Sequence, residues 1–276
     1  MFIIFGSPRS GTTLLAQCLS AHPELFVPDE TDFIIPVAFV FDRINDIATR
    51  REILKPLITK SQRFAGSLGE SFPEAEICDI IDRHSDSFPG LLIALYQTLA
   101  ARHGAKNAGD KSPNDLMFFR ILMKIGGLPP SIKIIHIVRD IRDVLSSLNE
   151  QRWNPSHTWF PRYWNVTNLY LHEEFGLASH YCLLRYEDMV RNPLRELARL
   201  CIFLGVSCDF LLHMTNHQCR HARYRGTPHH ARLYEPISDA AIGRFRASLP
   251  DHMIARCERQ TAEAMAAFGY SPSGSA

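Results

Sequence analysis

Residues 6–13, Gly6-Ser7-Pro8-Arg9-Ser10-Gly11-Thr12-Thr13, gather two glycines, an arginine and four hydroxyls into eight positions. The run follows an apolar stretch, Phe2-Ile3-Ile4-Phe5, and leads into helix-like apolar spacing at Leu14, Leu15, Cys18 and Leu19. A glycine turn between a strand and a helix aims backbone N–H groups and the positive helix end at one space, which is the chemistry of phosphate binding. The glycine spacing is that of a nucleotide-triphosphate loop, G-x-x-x-x-G, but Thr12-Thr13 stand where such loops carry a lysine and then a hydroxyl residue. The missing lysine argues against ATP or GTP hydrolysis and leaves Arg9, the hydroxyls and the backbone to meet the anion. Helix capping by Ser and Thr would not by itself require glycines at both ends of the run. His213, His217 and His221 recur every four residues, a spacing that could align three imidazoles on a metal. The arginines around them, Arg220, Arg223 and Arg225, disfavour a cation, and no metal site is assigned.

The elements that must position the first loop read as α/β. Phe2–Phe5 is a short buried strand and residues 12–20 a helix; residues 36–60 and 72–103 read as mostly helical, broken at Pro73 and Pro89 and stopped by Gly104. Residues 132–138, rich in β-branched side chains, form a second strand followed by a helix from Ile141 to about Arg152, and residues 181–184 form a third. Strands alternating with helices imply a parallel sheet covered on both faces, whose ligands lie beyond the strand C-termini.

The 276 residues suit one sizeable domain, taken as residues 1–270 with a frayed tail over 271–276. Thirty basic against twenty-nine acidic residues give a formal charge of +1, which argues against a general nucleic-acid or anionic-membrane binder and makes any anion site local. Seven scattered cysteines without a C-x-x-C pair fit a reducing cytoplasm. The opening residues read as a strand, with neither the basic region of a signal peptide nor the length of an anchor.

Residues 6–15 resemble the 5′-phosphosulfate loop of the sulfotransferases that use 3′-phosphoadenosine 5′-phosphosulfate (PAPS), in particular the bacterial, tyrosylprotein and carbohydrate branch. Ile134-Ile135-His136-Ile137-Val138-Arg139-Asp140 continuing to Ser147 resembles the 3′-phosphate motif of the same family, an arginine at a strand end followed eight residues later by a serine. Arg139 would leave the strand and Ser147 lie two helical turns on, so both could meet one dianionic phosphate. Alone, the two Arg-Asp pairs would read equally well as a charged first turn on a surface helix.

The resemblance implies a P-loop-like parallel sheet flanked by helices, the sulfotransferase fold, with PAPS as donor, 3′-phosphoadenosine 5′-phosphate (PAP) as product and no metal. It carries Ser7, Pro8, Arg9, Ser10, Gly11, Thr12 and Thr13 onto the 5′-phosphosulfate and Arg139 and Ser147 onto the 3′-phosphate. Asp29-Glu30-Thr31 is similar to the acidic pair before a threonine whose second acid is the general base, which points to Glu30, with Asp29 and Asp32 as rivals. Gly109-Asp110-Lys111-Ser112-Pro113 resembles the segment whose lysine reaches the transferring group, which points to Lys111; Arg9 is a second cation for the leaving oxygen. Arg185-Tyr186-Glu187-Asp188 resembles the segment closing the third strand, with Tyr186 against the adenine. A C-terminal basic stretch, Arg220 to Arg232, reads as a mobile lid, Arg232 included. The chain departs from the tyrosylprotein pattern at Glu235-Pro236, where a lysine precedes the proline, and at Gln151, where an arginine stands.

Sulfuryl transfer to a hydroxyl or amine is therefore expected, on a small-molecule, carbohydrate or peptide acceptor, without nucleic acid or membrane; a homo-oligomer stays open. The acceptor site falls to residues 36–104 and 153–180, where Trp153, Trp159, Phe160, Tyr163 and Trp164 either line a flat apolar site or pack in the core. Two other readings remain. One is a P-loop kinase, recognised by Mg·ATP turnover; the other is a PAP-binding protein without catalysis.

Overall fold

Five parallel strands form the sheet of the described residues. The computed structural model describes residues 1–61, 72–153, 155–216 and 232–274. The strands are β1 (Phe2–Phe5), β2 (Leu25–Phe26), β3 (Asn107–Lys111), β4 (Lys133–Val138) and β5 (Tyr181–Arg185), in the spatial order β2-β3-β1-β4-β5. β1 lies at the centre, pairing Ile4 with Lys111 of β3 on one side and with Ile135 of β4 on the other.

That position explains why β1 is an uninterrupted apolar run: with strands on both edges and helices on both faces, no side is left for a polar residue. Ile3 and Phe5 enter the cluster built by the helices Ile34–Arg43, Ile47–Thr59, Glu74–His84 and Phe88–Arg102, whereas Phe2 and Ile4 enter the one under α1 (Thr12–Ser20) and the helix Pro193–Leu204. A third cluster joins Val138 and the helix Ile141–Glu150 to the helices Trp159–Phe175 and Asp251–Ala267.

The first long helical stretch divides at residues 44–46, where no break was expected, and the second divides near Pro89, where one was. Asp46 caps the helix Ile47–Thr59, and Ser87 caps Phe88–Arg102 with Pro89 in its first turn, where a missing N–H costs nothing. β2 and β3 are not visible in the sequence pattern. β2 is two residues long, and β3 reads Asn107-Ala108-Gly109-Asp110-Lys111 because the Phe2 ring occupies the place of a side chain at 109: a Cβ there would lie 2.2 Å from it.

The order of the strands fixes the site. From β1 the chain runs through α1 toward β2, on one side of the sheet, and from β4 through the helix Ile141–Glu150 toward β5, on the other. The loops leaving the C-terminal ends of β1 and β4 therefore part from each other, and a crevice opens between them.

Candidate functional site

The loop after β1 is shaped by its glycines. A Cβ at Gly6 would stand 2.7 Å from the Ile137 carbonyl oxygen of β4, so only glycine lets the loop leave along its neighbour strand. Gly11 opens α1 at φ 92°, with a Tyr186 ring carbon 2.5 Å from where its Cβ would be. α1 has no side-chain cap, so Ser and Thr capping does not account for the hydroxyls. Arg9 itself stands at φ 69°, a left-handed conformation that costs an L-residue roughly 1–2 kcal/mol.

What holds Arg9 there is the second motif. Arg139, at the end of β4, donates from Nη1 to the Arg9 carbonyl at 3.0 Å and from Nη2 to the Ala241 carbonyl at 2.7 Å, and its guanidinium lies 4.5 Å over the Tyr186 ring. Arg9 in turn donates from Nε to Ser147 Oγ at 3.0 Å and lies 5.6 Å from the Trp153 ring centre. Burial, and then the charge of Arg139, push the Arg9 guanidinium below its ordinary pKa. Arg139 Nε is buried with no hydrogen-bond partner among the described residues. A donor left over on a crowded guanidinium fits a phosphate oxygen.

The helix Ile141–Glu150 is not a charged surface helix. Its residues 141–148 are all buried, Asp140 caps it, and Arg142 turns inward onto Asp140 and Glu258, each at 2.6 Å. Asp143 accepts the backbone N–H groups of Gly243 (2.7 Å) and Phe245 (3.1 Å), and burial pushes its carboxyl upward. Together with the Arg139–Ala241 bond this pins residues 241–245 as a wall of the crevice.

The resulting cleft is lined by Arg9, Gly11, Thr12 and Thr13 from the first loop and by Arg139, Ser147, Tyr186 and Arg232 among the residues expected from the sequence. Gln151, the position where the tyrosylprotein pattern carries an arginine, lines it as well, as do Glu150 and Arg244, which were not foreseen; Arg244 pairs with Glu150 at 2.5 Å. Glu150 lies three positions past Ser147 on the same helix face, a signal the sequence did offer. Arg244 follows the turn at Gly243, which no motif marks. Four arginines thus line the cleft with one carboxylate in a chain of net charge +1, so the positive charge is concentrated locally. Ser7 and Ser10 are fully buried behind the loop with their Oγ atoms 3.3 Å apart, and Pro8 is half-buried; none of the three lines the cleft.

Deeper, at the end of β3, Lys111 is 1% exposed and donates to Glu30 Oε1 at 2.8 Å and to Thr13 Oγ1 at 3.4 Å. Thr13 on α1 thereby links the acidic loop and β3 to the cleft. Glu187 of the third motif accepts the Asp140 N–H at 3.0 Å and the Tyr270 hydroxyl at 2.8 Å, which locks Tyr186 in register with Arg139.

Of the aromatic run, Phe160, Tyr163 and Trp164 are core, while Trp153 and Trp159 are half exposed. The basic stretch up to His230, and His217 and His221 with it, lie outside the described residues. Among the described residues no group of three or more His, Cys, Asp or Glu could hold a metal ion, and no helix is long and apolar enough to cross a membrane. Six cysteines are described, all free thiols. In the tail, Ser273 bonds to Glu258 and Arg142, and residues 275–276 lie outside the described residues.

Solved structures share this fold. The sulfotransferase domain from the Synechococcus PCC 7002 olefin synthase superposes with a TM-score of 0.67 at 24% identity, over 98% of this chain and 94% of that one. The sulfotransferase domain from the curacin biosynthetic pathway gives 0.64 at 19% identity, over 98% of both. In sequence, carbohydrate sulfotransferase 1 of Mus musculus is 26% identical over 164 residues, 51% of this chain and 39% of that one. Protein-tyrosine sulfotransferase 1 of Danio rerio is 26% identical over 223 residues, 77% of this chain and 55% of that one. The chain thus spans only part of these relatives' length. A model of the sulfotransferase family matches residues 2–209, the stretch that holds the first loop, the Lys111–Glu30 pair and the Arg139 motif, and on that match the chain belongs to the sulfotransferase family.

Proposed function

We propose that this chain transfers the sulfuryl group of PAPS to a hydroxyl or amine of a small-molecule, carbohydrate or peptide acceptor and releases PAP, without a metal. The observation that carries the reading is the joint between the two motifs. Arg9 bonds to Ser147 and accepts from Arg139, so the loop after β1 and the helix after β4 face one arginine-lined cleft.

In this reading the backbone of residues 7–13, Arg9, Thr12 and Thr13 receive the 5′-phosphosulfate, and Arg139 with Ser147 receives the 3′-phosphate. Tyr186 lies along the nucleotide, and Arg232 and Arg244 guard the mouth. Glu30 takes the proton of the acceptor as its oxygen or nitrogen bonds to sulfur. The bond from sulfur to the 5′-phosphate oxygen breaks, and the electron pair remains on PAP, where Lys111 and Arg9 meet the growing charge. Lys111 suits that part because one flexible cation beside both base and loop can follow the charge as it moves. We assign residues 1–270 to one sulfotransferase domain and the chain to the cytoplasm, a reducing compartment in which free thiols persist.

The test is thermal stabilisation of the purified chain by PAP, by Mg·ATP and by 5′-AMP, for wild type and Arg139→Ala. A rise with PAP alone that the variant loses supports the donor site and opens an acceptor screen with PAPS. A rise with Mg·ATP instead, or with none of the three, overturns it.

A further inference from the structure

Neighbouring residues of a strand face opposite sides of the sheet, and on β3 the two that matter are Asp110 and Lys111. Lys111, opposite Ile4, reaches Thr13 and Glu30. Asp110, opposite Ile3, is fully buried on the other face beside Tyr96. There the Thr31 and Tyr96 hydroxyls both donate to Asp110 Oδ1, each at 2.5 Å, and Thr31 is fully buried as well.

These bonds form a set. Glu30 meets Lys111, Thr31 meets Asp110, and the Asp32 N–H donates to Ser112 Oγ at 3.1 Å. Three successive residues of the acidic loop are thus fastened to three successive residues at the end of β3. The middle fastening is made in the core, out of reach of solvent and ligand.

Stability alone does not explain it. A carboxylate in an apolar core is costly even when partly bonded, and packed hydrophobic residues serve stability as well or better. Asp110 Oδ2 has no hydrogen-bond partner among the described residues, nor has Oδ2 of Asp115, a second buried carboxyl close by. Burial raises the pKa of both, and each is raised further by acidic neighbours. A cluster that breaks the usual rule for cores one residue from two candidate catalytic groups points to a cost borne for function.

We propose that the Thr31–Asp110–Tyr96 bridge is a positioning unit. It fixes the acidic loop against β3 so that Glu30 and Lys111 stand at their working separation, and through Lys111 it sets the reach to the transferring sulfuryl group. Asp110 and Thr31 touch neither donor nor acceptor. The inference rests on the sulfotransferase reading above, since it is there that Lys111 contacts the sulfuryl group.

The experiment measures PAP and PAPS affinities by titration calorimetry for the full chain and for Thr31→Val, Thr31→Ser and Tyr96→Phe. Thr31→Val exchanges a hydroxyl for a methyl at nearly constant volume. Loss of one buried hydrogen bond corresponds to about a tenfold effect. PAPS affinity is expected to fall about tenfold in Thr31→Val while PAP affinity, which depends on Arg9 and Arg139, stays within about twofold; Thr31→Ser restores the difference between the two ligands. A purely structural role would weaken both ligands together. Equal loss for PAP and PAPS, or no loss, overturns the proposal, and so does a Thr31→Ser protein that behaves like Thr31→Val. Should Thr31→Val fail to fold, Tyr96→Phe removes the second donor and keeps the ring, and an unchanged preference for PAPS over PAP there is equally fatal. A wild type that binds neither ligand fails the donor site itself, a different result from a wild type that binds both.

Discussion

His136 sits three residues before Arg139 on β4, fully buried, and its protonation links acid stability to the strand that delivers the cleft's central arginine. Asn168 Nδ2 donates to the Trp164 carbonyl at 2.7 Å, which turns Asn168 Oδ1 toward His136 Nε2 at 2.8 Å and puts the imidazole proton on Nε2. Nδ1 then accepts the Tyr181 hydroxyl at 2.7 Å, and the Tyr181 oxygen accepts from His172 Nδ1 at 3.1 Å. The ring is held neutral with both nitrogens engaged. Burial is the main cause that lowers its pKa to about 4, against an upward pull from Asn168 and a further lowering by His172.

The ordinary value is 6.5. Stability from His136 is therefore fully present above pH 6.5 and is lost as pH falls toward 4, because the unfolded chain takes up a proton that the folded one refuses. Linkage puts the loss at about 2 kcal/mol by pH 5 and about 3 kcal/mol by pH 4. For 276 residues, 2 kcal/mol is about 3 °C in Tm. The assay is urea unfolding at pH 7 and pH 5 for wild type and His136→Gln. The variant starts lower at pH 7, since it gives up buried hydrogen bonds, but its further loss on going to pH 5 is about 2 kcal/mol smaller. Asp110, Asp115 and Glu187, whose carboxyls are raised, gain stability as pH falls, the opposite sense, and cancel in the comparison because both proteins carry them. Equal losses in the two proteins would show that His136 is not the titrating group and that the network does not hold it neutral.

Two further outcomes follow from the cleft. Gly11→Ala meets both a left-handed backbone and the Tyr186 ring, so it should lower stability by roughly 1–2 kcal/mol or more and weaken PAP binding; Gly104→Ala, at φ 64° with no atom within 4 Å, should cost stability alone, both read by melting with and without PAP. Arg244→Ala should weaken PAP about tenfold, less as salt is added, whereas Glu150→Gln, which removes the carboxylate that Arg244 now pairs with, should tighten it; calorimetry across a salt series reads both.

What the sequence revealed follows from where information is local. β1 and α1 were legible to the residue because a strand buried on both faces must be apolar and a glycine must start the helix. β3 was not, since Gly109 yields to the Phe2 ring and Asp110 and Lys111 serve partners distant in sequence, so the strand carries almost no apolar signal. The first loop and the Arg139–Ser147 spacing were visible as chemistry. The Arg244–Glu150 wall was not, because Asp143 builds it by gripping backbone N–H groups a hundred residues away, and backbone groups leave no trace in residue types. Trp164 and Trp159 illustrate the same limit, one in the core and one half exposed on a single helix whose pattern favours neither role.

The two arginines of the Arg139-Asp140-Ile141-Arg142-Asp143 run show how structure divides what sequence leaves equal. Arg142 is neutralised by Asp140 and Glu258, and these strong partners raise its pKa against the pull of burial, so it belongs to the framework. Arg139 is just as buried, yet its hydrogen bonds go to two neutral carbonyls and its face to the Tyr186 ring. Carbonyls orient a guanidinium without cancelling its charge, and a ring beneath it blocks only one face. Arg139 is thus held rigid by uncharged acceptors, and since the Arg9 carbonyl is one of its anchors, the same bond that aims Arg139 keeps Arg9 in its strained conformation. On the proposed reading, an anion entering the cleft would meet two guanidinium groups already fixed in place, an arrangement that binds charge with little reorganisation.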